Sequence, residues 1–233
     1  MRCYPLLLSS VILINFALAC LICATLYLTE RFCYDGGFFY FCSRKNYQTI
    51  MDHDFLHDFE TSLQESLLKI CTTNGMLSGT LLASDDIDQR WHDLAPEYMA
   101  DAVKEIAQYP SVALAWASYL GMAIANGWDS DWEKCRAMGY SEFYGPRGFD
   151  DMDEHIVYDI IGLSPNSDEA NRLEETLRTI AEHSLSQIRH SGIEPQSPMA
   201  FHTFARACKV LYRTGAAIEL HRLGYKFEAV NLN

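Results

Sequence analysis

The chain has 233 residues, with 18 Lys or Arg against 31 Asp or Glu, for a net charge of −13. This length suits one domain with an appendage, and 49% hydrophobic residues is enough for a sizeable core. An acidic chain with no basic stripe repels phosphate backbones, so nucleic-acid binding is disfavoured.

Residues 1–50 are a different kind of sequence. They hold four basic and two acidic residues, which leaves 14 against 29 for residues 51–233. Leu6 to Leu28 carries no charge. As a helix it extends roughly 35 Å, enough to cross a hydrocarbon core of about 30 Å. Ala17-Leu18-Ala19 before Cys20 also resembles a signal-peptide cleavage site. An aromatic- and Cys-rich linker follows, and the composition breaks at Met51. Three readings stand: a membrane anchor, a cleaved signal, or a start at Met51 with residues 1–50 as translated upstream sequence. With an anchor at 6–28, Arg31, Arg44 and Lys45 place the acidic domain on the cytoplasmic side. A start at Met51 places it in the cytoplasm as well. Beyond residue 50, Cys71, Cys135 and Cys208 are widely spaced in apolar helical patterns. They read as small buried hydrophobes, not as a disulfide framework or zinc site.

From residue 52 the pattern is helical. Phe55, Phe59, Leu63, Leu67 and Ile70 form an i, i+4 stripe ending at Asn74-Gly75. Asp86 to His92 is expected as a short helix, with a second beginning at Pro96 and reaching Tyr109. Ser111 to Ala125 is apolar on nearly every side and too short to span a membrane comfortably. It is the expected central buried helix, ended by Asn126-Gly127. A short helix over 129–138, a loop over 140–149 and a helix over 151–161 follow. Ser167 caps a long helix over 168–190, with Leu173, Leu177, Ile180, Ser184 and Ile188 inward and Glu174 paired to Arg178. Pro198 opens the last long segment, whose face is Phe201, Phe204, Cys208, Leu211 and Tyr212; Gly215 is expected to interrupt it. No alternating strand pattern appears. The expected fold is all-α: a compact multi-helix bundle around 111–125, preceded by the N-terminal hydrophobic helix.

The stretch "MDHDFLHDFE" (51–60) places His53 and His57 one turn apart, a spacing that suits two metal ligands. The same residues also suit a solvated helix face, with Asp54 and Asp58 favoured near a helix N-terminus. His92-Asp93 and the later cluster Asp150, Asp151, Asp153 and Glu154 give an all-α chain with a His, then His-Asp, then Asp. That order loosely resembles the HD-type metal phosphohydrolases, although "DIDQRWHDL" lacks the apolar run that leads into the family's His-Asp. The resemblance implies a divalent metal on His57, His92, Asp93 and Asp153, activating water against a phosphate. Asp129, Asp131 and Glu133 match the first ligands of an EF-hand, but Lys134 replaces its glycine and Tyr140 its last glutamate, so calcium is discarded.

The loop 140–149 concentrates Tyr140, Phe143, Tyr144, Arg147 and Phe149. It reads either as a recognition loop, with Arg147 on a carboxylate or phosphate, or as aromatics tucked into the core with Arg147 paired to a neighbouring acid. No nucleophile elbow, P-loop or dinucleotide motif is present. The leading expectation is a non-enzymatic acidic domain acting through contacts with a protein partner and binding no cofactor. The alternative is the metal-dependent phosphohydrolase. A small-molecule binding bundle would require a large apolar pocket beside the central helix.

Overall fold

The computed structural model describes residues 43–106 and 108–226, with side chains from residue 53 onward. The hydrophobic run at 6–28 and the cleavage signal lie outside the described residues. Among the described residues every regular element is helical, and the one β-bridge, Gly145 with Gly148, closes a turn. No helix there is long and apolar enough to cross a membrane.

Helix α1 covers Ser43–Thr73 and runs unbroken across Met51. It buries Phe59, Leu63 and Leu67 as the i, i+4 stripe requires, with Phe55 and Ile70 half-buried. Helix α2, Asp85–Ile106, corrects the expected pair of helices: it continues through Pro96. Proline deprives only the carbonyl four residues earlier of its N–H partner. Here that residue is His92, and both it and Pro96 are exposed, so solvent can reach the carbonyl. The opposite face keeps Trp91, Leu94, Tyr98 and Ala102 buried.

Helix α3, Pro110–Ser130, is the central helix, and it passes the Asn126-Gly127 stop expected for it. Both residues serve packing instead. Asn126 Nδ2 donates to Glu219 at 2.9 Å, and a β-carbon on Gly127 would lie 2.8 Å from that of Cys135. Asp131 then caps the short α4, Trp132–Ala137, by accepting the Lys134 N–H at 3.1 Å. Two 3-10 turns, Tyr140–Phe143 and Phe149–Asp151, replace most of the expected loop. The expected plain helix over 151–161 is α5, Met152–Glu154, widening into a π-helical turn at His155–Ile160.

Helices α6, Asp168–His190, and α7, Pro198–Arg222, start from the same local device. Pro165-Asn166-Ser167 and Pro195-Gln196-Ser197 each place proline before a residue at positive φ, 60° for Asn166 and 63° for Gln196. Each serine hydroxyl then accepts an N–H of the first turn, from Ala170 at 3.2 Å and Ala200 at 3.1 Å. This satisfies donors that a helix start otherwise leaves orphaned. Gly215 does not interrupt α7.

Helix α3 packs most extensively on α7, then on α6 and α2, while α1 lies along α7. It is buried from Ala113 to Ala125 with Ala115 alone half-exposed. Two buried phenols in this core find carbonyl partners: Tyr98 donates to the Ala113 carbonyl and Tyr212 to that of Ile87 at 2.8 Å. Burial pushes both phenols well above their ordinary range. Ionic ties fasten the outer helices. Glu60 of α1 meets Arg206 at 2.9 Å and Lys209 at 3.1 Å on α7, and Arg213 of α7 grips Asp88 of α2 with two nitrogens.

Candidate functional site

The residues the sequence nominates for a metal are dispersed. His53, His57 and Asp58 are exposed on α1, and His92 and Asp93 are exposed on α2, where Asp93 lies 3.4 Å from Arg90. Asp153 belongs to α5. Among the described residues no three His, Cys, Asp or Glu side chains gather closely enough to hold an ion, so His57, His92, Asp93 and Asp153 are not brought together. Asp129 accepts from Tyr225 Oη at 2.7 Å, and Asp131 is the α4 cap.

The aromatic loop is interior structure. Tyr140 and Phe143 are buried, and Tyr144 and Phe149 are half-buried. Phe149 stands edge-on to Trp116 with ring centroids 4.4 Å apart, and Tyr140 to Tyr144 at 5.2 Å. Tyr144 donates to Asp101 of α2. Arg147 donates from both its backbone N–H (2.8 Å) and its Nε (2.7 Å) to Asp151, whose carboxyl is held below its usual range by these bonds. The guanidinium is thus engaged inside the loop, although it stays exposed.

A groove lies elsewhere, along the first half of α3. Its walls come from three segments far apart in the chain: 111–119 of α3, 153–158 of α5 and its π-turn, and 171–182 of α6. Its volume is about 560 Å³. On the α3 side, Val112, Ala115, Trp116 and Tyr119 recur at helical spacing, and Val112 is 39% exposed. On the α6 side, Glu174, Glu175, Arg178 and Glu182 recur in the same way and run roughly 12 Å from position 174 to 182. Asp153 and Glu154 close the end. Five carboxylates therefore face one guanidinium, and Arg178 already lies 2.9 Å from Glu175. This corrects the expected Glu174–Arg178 pair: Glu174 instead accepts from Tyr158 Oη at 2.9 Å, which raises the phenol's pKa.

With Arg178 on Glu175 and Arg147 3.8 Å from Glu154, the groove still keeps a net negative charge. Burial raises the Asp153 carboxyl above its ordinary value, outweighing the backbone N–H groups of Glu154 and Asp153 that favour its charge. Burial also raises Tyr119, reinforced by the negative charges of Asp153 and Glu174. The Trp116 indole N–H, on a side chain only 6% exposed, is near enough to Asp153 to favour its ionised form, yet it makes no well-formed hydrogen bond. The sequence analysis missed this site. The acidic repeat on 171–182 was its one local signal, and it is indistinguishable from an ordinary solvated face until α3 and α5 are set against it.

Comparison of the chain with protein-family models, with curated proteins and with solved structures found no match.

Proposed function

We propose that the helical domain is a protein-interaction module and that the α3–α5–α6 groove is its contact face. The observation that carries this reading is the groove's composition: a row of carboxylates on one wall, an exposed aliphatic edge at Val112 on the other, and the half-buried carboxylate of Asp153 beside them. A mixed, open trough suits a polypeptide better than the enclosed apolar pocket of a small-molecule site.

The test is recovery of partners from native cells by the full chain and by Glu175→Lys/Glu182→Lys. Both residues are exposed, so the fold tolerates the exchange. The wild-type chain retains specific partners that the double variant loses. Recovery of the same partners by both chains overturns the assignment of the groove.

A further inference from the structure

Resting on that reading, we infer that the groove's occupant is a cationic segment of a partner protein, laid along α6 with Lys or Arg side chains over the carboxylate row. Three independent features point to it. First, Glu174, Glu175, Glu182, Asp153 and Glu154 surround a trough whose sole internal cation is Arg178. A positive guest relieves repulsion that the protein alone leaves standing. Second, Asp153 lines the trough half-buried, with its charged form disfavoured by burial, and a cation placed beside it restores part of the stabilisation lost with water. Third, the exposed aliphatic edge at Val112 lines the trough together with the carboxylate row, so an amphipathic segment meets apolar and charged contacts at once. On α7 the basic row Arg206, Lys209 and Arg213 is committed to Glu60 and Asp88.

The probe is a synthetic amphipathic peptide of about four helical turns, with Lys on one face and Leu on the other, long enough to span the carboxylate row. It is titrated calorimetrically into the full chain in non-ionic detergent, alongside the same peptide with Glu for Lys and alongside spermine. The expected result is saturable one-to-one binding of the Lys peptide at micromolar concentration. That binding weakens at least tenfold between about 50 and 300 mM salt, and the Glu peptide does not bind. Glu175→Lys/Glu182→Lys weakens it at least tenfold, whereas Glu65→Lys, a reversal on the exposed face of α1, changes it less than twofold.

Equal binding to the groove and control variants means that net charge alone attracts the peptide, and this overturns the inference. Spermine binding as tightly as the peptide overturns it in favour of a small polycation site. If the peptide fails while native partners still depend on Glu175 and Glu182, the cationic segment is wrong and the interaction face stands. If native partners ignore both residues, the face itself is wrong.

Discussion

Gly121 and Gly215 stand back to back where α3 crosses α7. A β-carbon on Gly121 would lie 2.8 Å from the carbonyl carbon of Tyr212, and one on Gly215 would lie 2.7 Å from that of Ser118. Each glycine thus makes room for the other helix's backbone, and the contact is reciprocal. Side chains such as Leu and Tyr can shift to absorb an added methyl group. A helical main chain cannot shift without moving the whole helix.

Gly121→Ala and Gly215→Ala should therefore each destabilise the domain by about 3 kcal/mol, despite alanine's better helix propensity. Gly139→Ala is the control, because its nearest new contact is 3.9 Å away; it should stay within about 0.5 kcal/mol. Chemical denaturation with circular dichroism reads both. A neutral Gly121→Ala would show that the helices are farther apart than described here.

Glu219 is fully buried on α7, where Arg222 donates from Nε and an η nitrogen at 2.7 Å each and Asn126 donates at 2.9 Å. Glu219→Ala leaves both donors without an acceptor and should cost about 2–3 kcal/mol, reduced from a fully buried pair because Arg222 is partly solvated. Glu219→Gln, which keeps an acceptor oxygen, should cost less. The order Ala worse than Gln is the outcome to check by thermal denaturation; equal losses would assign the residue to shape alone.

Asp153 makes the opposite prediction. Its carboxyl pKa is raised in the folded state, so the folded protein holds that proton more tightly than the unfolded chain. Stability then falls as pH rises from the unfolded value of about 3.9 through the raised one. Asp153→Asn should melt at a higher temperature than wild type at pH 7, and the gap should close below about pH 4. A gap independent of pH would mean that the carboxylate is not what burial penalises.

Cys71, Cys135 and Cys208 are buried thiols, with burial pushing Cys71 up to about 12 and raising the other two as well. Thiolates are the reactive form. A thiol reagent at pH 8 should leave these three unlabelled in the native protein, and peptide mapping should find them labelled only after denaturation. Fast native labelling of Cys208, on the central α7, would contradict the core arrangement.

Much of the architecture could be read in advance because its causes are local. Ser167 and Pro198 announce the starts of α6 and α7, and the apolar stripe Leu173, Leu177, Ile180 and Ser184 buries as its spacing requires. The misreadings share one cause. Pro96, Gly127 and Gly215 carry strong breaking tendencies, but each lies where tertiary structure outweighs propensity. Pro96 loses only a solvent-facing bond, and the two glycines are used for close approach. The groove was illegible for a different reason. Trp116 belongs to a stretch correctly expected to be buried, and Glu175 to a face correctly expected to be wet. Only the placement of α5 between them turns these two ordinary faces into a trough.

The π-turn at His155–Ile160 has a consequence for how this sequence tolerates change. A π-turn spends one residue more per revolution than an α-helix, so the segment contains a spare position. Deleting one residue there, unlike deleting one from α3 or α7, should let the backbone relax into regular helix without rotating everything that follows out of phase. The cost would fall on Tyr158, which would swing away from Glu174 and unlatch one side of the trough while the bundle stayed folded. In length variation, therefore, this short arc is where the chain can be shortened without collapse, and the loss would be felt in recognition instead of in folding.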